Sequence, residues 1–247
     1  MLLNPYRFGT SGDTDPYWAN VSFLLHMNGA DASTTFTDSS SSPKTVTANG
    51  NAKISTAQSK FGGASALFDG ASDYLTSDVN AAFELSTDDF TIEFFVRLSG
   101  YSAAYAGIYG AAIASTYKGL PTGTPPGWQI RINGTSSSYD TVNLYTGTTD
   151  LNFSHSFSLN TWYHVAISRA SGQIRVFVDG TQAGSTVSNT DSFTASTSTD
   201  RPLYIGQLND ATYLFYLNGY LDELRITKGV GRYTTTFSAP ISEFPNS

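Results

Sequence analysis

Apolar and polar residues alternate along much of the chain, in short segments that predict antiparallel β-strands. The clearest of these segments is FTIEFFVRL, at Phe90–Leu98. Neighbouring side chains of a strand point to opposite faces of its sheet, so five residues share one face: Phe90, Ile92, Phe94, Val96 and Leu98. We expect this apolar face to lie in the core.

Comparable segments recur from Val21 onwards, separated by Gly, Asn, Asp, Ser and Pro at the spacing typical of a β-sandwich. The predicted strands are Val21–Met27, Ala64–Phe68, Tyr74–Thr76, Phe90–Leu98, Trp128–Ile132, Val142–Tyr145, Trp162–Arg169, Gln173–Asp179, Pro202–Gly206 and Tyr220–Thr227. One helical turn is predicted near Asn80–Phe83. Residues 99–127, 185–200 and 208–217 are predicted to be long connections.

Length and composition fit one all-β domain. A chain of 247 residues can bury a large core without disulfides, and the absence of cysteine excludes thiolate catalysis and zinc–thiolate sites. The net charge of −7, with only 13 Lys and Arg, argues against binding to nucleic acid or to an anionic membrane. No apolar run reaches the roughly 20 residues that span a bilayer. The first residues do not form a secretory signal peptide.

Residues 1–20 are predicted to be an N-terminal extension, followed by one domain over residues 21–247. The extension has no strand or helix period, yet it contains Tyr6, Phe8, Tyr17 and Trp18. Disordered tails are normally poor in aromatic residues. Two interpretations stay open: the extension packs on its own domain, or it anchors the domain to a partner protein.

Six motifs follow one another along the chain. They are SFLLHMNGADASTTFTDSS at 22–40, KFGGASALFDGASDYLT at 60–76, FTIEFFVRL at 90–98, WYHVAISR at 162–169, PLYIGQ at 202–207 and GYLDELRITKGVGRY at 219–233. In order and spacing they resemble the laminin-G-like family of concanavalin A-like lectins and glucanases. The resemblance covers about residues 21–240 and implies an all-β, two-sheet antiparallel jelly-roll sandwich.

The same resemblance bears on function, although this scaffold carries lectins, adhesion modules, toxins and hydrolases. Versions with an LLH–NG opening and a TKGVGRYT ending look like modules of bacteriophage virion proteins and bacterial surface proteins. This implies a non-enzymatic structural or adhesion module at a virion or extracellular surface, homo-oligomeric and attached to other virion proteins through residues 1–20. The alternative is a lectin domain that recognises host-surface polysaccharide.

The carboxylates do not form the pattern of a glycoside hydrolase. Retaining hydrolysis needs two carboxyl groups about 5 Å apart. Glu93 is alone on its predicted strand, and the adjacent Asp222 and Glu223 point to opposite faces. If the two strands are neighbours, Glu93 and Arg97 share a face with Glu223 and Arg225 as charge pairs worth about 0.2–1 kcal/mol each. We therefore expect no enzymatic activity.

The three histidines show no metal-ligand spacing, and no nucleophile motif accompanies them. His164 lies inside a predicted strand and is expected to be structural. His26 ends the first strand, and His155 is predicted to lie in a loop. These positions predict neither a zinc site nor a catalytic triad.

A structural Ca²⁺ is implied by the family resemblance, because many proteins on this scaffold bind one where the first and last strands meet. The matching positions are Asn28, Asp31 and Asp222. Asp222 lies two and four positions before Leu224 and Ile226, which places it on the same face of a regular strand. It is therefore predicted to point inward and to need a partner. Either Ca²⁺ or the N–H groups of a turn would satisfy it.

Two aromatic loops are the predicted ligand-binding or interface region. Their residues are Tyr101, Tyr105, Tyr109, Tyr117, Tyr213, Phe215 and Tyr216. Tyrosine combines apolar area with a hydroxyl group, which suits both sugar stacking and protein contacts. Three interpretations stay open: packing on the domain's own core, an interface with another subunit or virion protein, and a glycan site. Trp128 and Trp162 lie within strands and are predicted to belong to the core.

Overall fold

The structure, a computed structural model, describes residues 14–105, 108–116, 127–193, 202–209 and 214–247. These residues form strands and two single-turn 3-10 helices, Trp18–Asn20 and Ala81–Phe83. The strands are β1 (Val21–Leu25), β2 (Val46–Asn49), β3 (Lys53–Ser55), β4 (Ser65–Asp69), β5 (Tyr74–Ser77), β6 (Phe90–Leu98), β7 (Ala103–Tyr105), β8 (Ile108–Ser115), β9 (Gln129–Gly134), β10 (Tyr139–Tyr145), β11 (Asp150–Phe157), β12 (Trp162–Ala170), β13 (Gln173–Val178), β14 (Thr181–Ser188), β15 (Leu203–Ile205), β16 (Gln207–Asn209), β17 (Leu214–Tyr216) and β18 (Asn218–Lys228). Over these ranges no helix is long and apolar enough to cross a membrane.

Most strands belong to two antiparallel sheets that stack as a sandwich. The first sheet has the order β14–β13–β12–β6–β18–β4–β3, and β1 also pairs with β18. The second sheet has the order β11–β10–β9–β8–β15–β5–β2, with β7 beside β8. Strands β16 and β17 form a separate small hairpin. The predicted all-β, two-sheet jelly-roll sandwich is confirmed.

The core lies between the two sheets. The predicted apolar face of β6 is confirmed, because its five residues are at most 1% exposed and all belong to the main hydrophobic cluster. Ile130 and Ile132 of β9 and Val142 and Leu144 of β10 belong to the same cluster and are fully buried. Full burial of such side chains stabilises the fold by about 1.5–3 kcal/mol each.

The outer face of the first sheet is also covered. On that face of β6, Glu93 and Phe95 are buried. Phe95 packs in a cluster that includes Phe244 from the C-terminal tail and Trp18 from the segment before β1. A second outer cluster places Tyr233 of the tail on Ala166 and Phe177. The two chain ends therefore cover the first sheet.

Each of the ten predicted strands overlaps an observed strand, but several strands were missed. Of the missed strands, β11 does alternate, with Leu151, Phe153 and Phe157 on one face, whereas the others, β2, β3, β7, β8, β14, β16 and β17, are short or rich in Ser, Thr, Ala or Asn. Pairing with neighbouring strands, rather than local propensity, places them. His155 lies in β11 and not in a loop, so that prediction was wrong. The predicted turn near Asn80 is present as the helix Ala81–Phe83.

Strand β18 contains a β-bulge that changes which side chains face the core. Asp222 lies opposite Phe95 and Arg225 lies opposite Glu93, with the register shift between them. Glu223 has a φ of +52°. Because the bulge inserts one extra residue, the alternation of inward and outward side chains shifts by one position there. Asp222 therefore lies on the outer face with Phe95, and the prediction that it points inward was wrong.

Candidate functional site

Glu93, the carboxylate considered for catalysis, lies in a buried cluster of polar side chains. Arg225 Nη2 donates to Glu93 Oε1 at 2.8 Å, and the Tyr233 hydroxyl donates to Oε2 at 2.8 Å. His164 Nε2 lies 3.2 Å from the same Oε2 and is also buried. Burial opposes ionisation of Glu93, but the charges of Arg225 and Arg232 and the hydrogen bond from His164 together outweigh it and hold the pKa of Glu93 well below its usual range. Glu93 is 0% exposed, so no substrate reaches it.

The predicted charge pairing across β6 and β18 is present only in part. Glu93 and Arg225 form a direct ion pair, but Arg97 lies 5.6 Å from the ring centroid of Tyr220 instead. Glu223 is turned away by the bulge and pairs with His26 at 2.7 Å. Since the Glu93–Arg225 pair is fully buried, removal of one partner costs about 3–5 kcal/mol, more than the surface value expected from the sequence.

Asp222 lies beneath the turn at Lys60 and Phe61. Its Oδ2 accepts the backbone N–H of Lys60 at 2.8 Å and that of Phe61 at 3.2 Å. Its Oδ1 is buried and has no hydrogen-bond partner within the described residues. Burial, together with the charge of Glu223, raises the pKa of Asp222 to about 8. The carboxyl group is therefore mostly protonated at neutral pH, and turn N–H groups bind Oδ2.

The two other predicted calcium ligands have different partners. Asp31 Oδ1 accepts the N–H of Thr56 at 3.1 Å, and Asn28 Nδ2 donates to Glu243 Oε1 at 2.7 Å. In the part of the chain that the structure describes, no three His, Asp or Glu side chains are grouped to hold a metal ion. The calcium site stays a prediction.

The outer face of the second sheet carries a set of aligned polar side chains. Arg131 lies opposite Asn143, which in turn lies opposite Asn152. Gln129, Tyr145 and Asp150 form the adjacent row. We call these six residues the polar face. Their chain neighbours point inward to the core, because successive residues of a strand face opposite sides.

Hydrogen bonds fix the orientation of the polar face. Arg131 Nε and Nη2 donate to Asn143 Oδ1 at 3.0 and 2.6 Å, and Nη2 also donates to Asp150 Oδ1 at 2.9 Å. Asn143 Nδ2 donates to Asp150 Oδ1 at 3.1 Å and to Asn152 Oδ1 at 2.9 Å. Asp150 and Asn152 are exposed. The buried Asn143 therefore fixes the carboxylate of Asp150 and the amide of Asn152, and these two groups face solvent.

Aromatic rings border the polar face. The guanidinium carbon of Arg131 lies 5.1 Å from the ring centroid of Phe215 in the small hairpin. Gln207 Nε2 donates to the Tyr216 hydroxyl at 3.1 Å, and burial raises the pKa of Tyr216. Farther along the same face, Tyr204 lies opposite Ser115. The site thus combines oriented polar groups with aromatic surface.

The predicted aromatic residues occupy several different places. Phe215 is buried against Ala112 and Leu208, whereas Tyr216 is half-buried. Tyr101 packs on the main core, with its ring 5.1 Å from that of Tyr139. Tyr105 lies in β7 and Tyr109 in β8. Tyr117 and Tyr213 lie outside the described residues. Of these residues, the structure places Phe215 next to the polar face, against Arg131.

The two tryptophans differ in position. Trp128 is fully buried, and its indole N–H donates to the Phe83 carbonyl at 2.9 Å. Trp162 is half-buried and packs on the outer cluster around Phe95 rather than between the sheets.

The polar face was missed at the level of the sequence, although a signal for it exists. In QIRIN, Arg131 alternates with Ile130 and Ile132, and in VNLY, Asn143 alternates with Val142 and Leu144. This period of two residues predicts a polar outer face on both strands. The two strands are adjacent in the sheet, which brings Arg131 and Asn143 together.

Comparisons with known proteins agree with this architecture. A laminin-G model described as the concanavalin A-like lectin/glucanases superfamily matches residues 69–230. Domain 4 of AbnA, a GH43 extracellular arabinanase from Geobacillus stearothermophilus, solved in complex with arabinotriose, has a TM-score of 0.56 at 17% identity. That match covers 85% of this chain and 93% of the arabinanase domain.

Two toxin domains are also similar in structure. The binding domain of botulinum neurotoxin serotype G has a TM-score of 0.59 at 16% identity, covering 88% of this chain and 49% of the toxin chain. The binding domain of botulinum neurotoxin DC, solved in complex with SialylT, has a TM-score of 0.54 at 14% identity, with coverage of 93% and 50%. This chain therefore spans about half the length of the toxin chains. At such identities the likeness shows the fold. No curated protein sequence matches the chain.

Proposed function

Because the chain belongs to the concanavalin A-like lectin/glucanases superfamily, we propose that it is a glycan-binding module whose ligand lies on the polar face. The observation that carries the proposal is the network of Arg131, Asn143 and Asp150, which holds donors and acceptors in fixed positions on an outer sheet surface. The arabinotriose in the arabinanase domain and the SialylT in the toxin domain support this class of ligand.

The chemistry of the polar face suits a saccharide. Sugar hydroxyl groups both donate and accept hydrogen bonds, and this face supplies amide, carboxylate, guanidinium and phenol groups together. Groups that are already oriented lose little conformational entropy on binding, which favours affinity. Aromatic rings beside the face, such as that of Tyr204, provide apolar area for the carbon–hydrogen surface of a sugar ring.

The experiment is a calorimetric titration of the protein with neutral oligosaccharides, arabinotriose among them, using matched variants. Asn152 is exposed and takes part in the network, so we expect Asn152→Ala to weaken binding by about fivefold or more through the loss of one hydrogen bond. Ser185→Ala is the control, because Ser185 is exposed on β14 of the other sheet. Equal affinities for Asn152→Ala and the control would refute this location of the site.

The module is proposed to bind glycan without hydrolysing it. The polar face contains one carboxylate, that of Asp150, whereas retaining hydrolysis needs a pair about 5 Å apart. Release of new reducing ends from a bound polysaccharide, lost in Asp150→Asn, would contradict this part of the proposal.

We also propose, from the sequence resemblance, that the module is displayed as a homo-oligomer on a bacteriophage virion or another extracellular surface, through the N-terminal extension. Asp15 is buried and Trp18 packs on the outer cluster, so these two residues pack on the domain itself and the proposed anchor is limited to residues 1–13. Deletion of residues 1–13 should abolish attachment to the particle and leave glycan binding unchanged. Attachment that persists after the deletion would refute the anchor.

A further inference from the structure

A second groove lies away from the polar face, where the start of β1 meets the end of β18. Its volume is about 430 Å³, and its lining includes Asn20, Ser41, Ser42, Lys44, Asn80 and Lys228. This volume lies within the range of small-molecule sites in proteins. The lining combines two ammonium groups with hydroxyl and amide groups.

The two lysines are held on the same wall of the groove. Lys44 Nζ donates to the carbonyl oxygen of Ser22 at 2.6 Å and also bonds the carbonyl of Ser42. Lys228 Nζ donates to the carbonyl oxygen of Ala81 at 2.6 Å. The hydroxyl of Ser22 donates to the neighbouring carbonyl, that of Ala82, at 3.0 Å. Lys44 is thus held by the backbone of Ser22 and Ser42, and Lys228 by the backbone of the helix Ala81–Phe83, which Ser22 also contacts.

The charges leave the groove positive. Asp38 Oδ2 lies 3.9 Å from Lys44 Nζ, but Asp38 is buried and does not line the groove. Its oxygens accept the backbone N–H groups of Leu24, Ser40 and Lys44. Burial lowers the pKa of Lys44, the charge of Asp38 opposes that effect, and the charge of Lys228 adds to it. In a chain with a net charge of −7, two cations at one groove do not follow from the overall composition.

We propose that this groove binds an acidic saccharide, with its carboxylate or sulfate at Lys44 and Lys228 and its hydroxyls at Asn20, Ser41 and Asn80. Lys228 Nζ can give an anion a charge-assisted hydrogen bond, which is stronger than a neutral one. Lys44 adds its positive charge, because its three N–H groups already bond Ser22, Ser40 and Ser42. The surrounding hydroxyl and amide groups match a sugar ring better than they match a bare inorganic anion. The class of ligand rests on the proposed function, whereas the location does not.

The first test uses sodium glucuronate as the probe and glucose as its neutral counterpart, both at constant ionic strength, with binding followed by ligand-observed NMR and calorimetry. Lys228→Gln removes one cation from a half-buried position, and we expect it to weaken glucuronate binding about tenfold. Lys53→Gln makes the same change of charge at a half-buried position of β3 and should bind as the wild type does. Equal effects of the two variants would overturn the site.

A second pair of variants tests the groove without removing a lysine. Ser41→Asp introduces a negative charge at an exposed position in the lining, and Ser185→Asp introduces the same charge at an exposed position of β14, the edge strand of the first sheet. We expect Ser41→Asp to abolish glucuronate binding and Ser185→Asp to preserve it. Glucose binding equal to glucuronate binding, or inorganic sulfate binding as tightly, would refute the acidic saccharide. Asn152→Ala should leave glucuronate binding intact, which separates this site from the polar face.

Discussion

Asp15 holds the guanidinium group of Arg232 with both carboxylate oxygens, at 2.9 and 2.7 Å, although the two residues are 217 positions apart. Asp15 Oδ2 also accepts from Arg225 Nη1 at 2.9 Å, and Arg225 in turn binds Glu93. Two carboxylates and two guanidinium groups thus neutralise one another in a cluster where no side chain is more than 1% exposed. The segment before β1 is thereby joined to the tail after β18.

Replacement of Asp15 by Asn should destabilise the fold strongly. The variant leaves two buried guanidinium groups against one carboxylate, and breaking a buried ion pair in this way costs about 3–5 kcal/mol. The free energy of unfolding, measured by urea denaturation, should fall by about 3 kcal/mol or more. Asp78→Asn is the matched control because Asp78 is exposed. A loss below about 1 kcal/mol for Asp15→Asn, the size of a surface pair, would mean that the cluster is solvated.

His26 fastens the C-terminal tail to the end of β1. Its Nδ1 lies 2.7 Å from Glu223 Oε1 and its Nε2 lies 2.7 Å from Asn246 Oδ1. Glu223 Oε2 also accepts the N–H of Phe244 at 2.8 Å. Burial lowers the pKa of His26, but the hydrogen bond and charge of Glu223 outweigh it and raise that pKa to about 9. Burial raises the pKa of Glu223 as well. The ion pair therefore needs a pH high enough to ionise Glu223, and it persists until His26 loses its proton at about pH 9.

The variant His26→Ala should lose stability in a pH-dependent way. A folded pKa above the unfolded value of 6.5 means that the stabilisation is complete below pH 6.5 and is lost as the pH rises through about 9. At pH 6.5 we expect the variant to be about 2 kcal/mol less stable than the wild type. The difference should be clearly smaller at pH 10. Thermal unfolding at the two pH values measures it, and an equal difference at both would show that His26 contributes by packing alone.

Gly206 allows the chain to leave β15 and enter the small hairpin beside the polar face. Its φ is +82°, and a Cβ at this position would lie 2.6 Å from two ring atoms of Phe68. Gly206→Ala therefore combines backbone strain with overpacking and should destabilise the protein by about 2–4 kcal/mol. Gly63→Ala is a matched control, because Gly63 has a φ of +81° and nothing within 4 Å of the added Cβ.

The difference between these two glycine variants isolates the contact with Phe68. We expect Gly63→Ala to lose only about 1 kcal/mol, the cost of the left-handed backbone. Equal losses in urea denaturation would show that Phe68 moves aside without cost.

The parts of this fold that the sequence could predict depend on a local period of two. The apolar face of β6 is readable because Phe90, Ile92 and Phe94 alternate with other residues and one sheet buries them. The same rule failed at Asp222, because nothing in the letters LDEL indicates a bulge. The register of β18 is set by the strands with which it pairs. On β6, Val96 lies opposite Leu221 and Phe95 lies opposite Asp222.

The candidate site was harder to predict because it depends on contacts between distant parts of the chain. Alternation places Arg131, which is half-buried, and Asn143, which is buried, on an outer face that Asp150 and Asn152 open to solvent, but Glu93 on β6 alternates in the same manner and its whole polar cluster is buried. What separates them is cover from elsewhere: Phe244 and Trp18 belong to the cluster that packs on the outer side of the first sheet. Such cover is a tertiary property, absent from any single strand.

A variant of Asp222 tests whether a proton or a metal ion neutralises this buried carboxylate. Its folded pKa of about 8, against 3.8 in the unfolded chain, means that its stabilisation is complete below pH 3.8 and is lost as the pH rises through about 8. Asp222→Asn keeps an oxygen for the N–H groups of Lys60 and Phe61 and cannot ionise. The variant should therefore match the wild type near pH 4 and exceed it by about 2 kcal/mol or more at pH 8.

The same variant decides the calcium prediction. If Ca²⁺ were the partner of Asp222, EGTA would lower the melting temperature of the wild type, and Asp222→Asn would be less stable at every pH and insensitive to EGTA. We expect the opposite, since Asp222 Oδ2 already accepts two backbone N–H groups and, among the residues that the structure describes, no three His, Asp or Glu side chains are grouped around a metal position. Thermal unfolding of both proteins at pH 5, 7 and 9, with EGTA and with added CaCl₂, distinguishes the two outcomes.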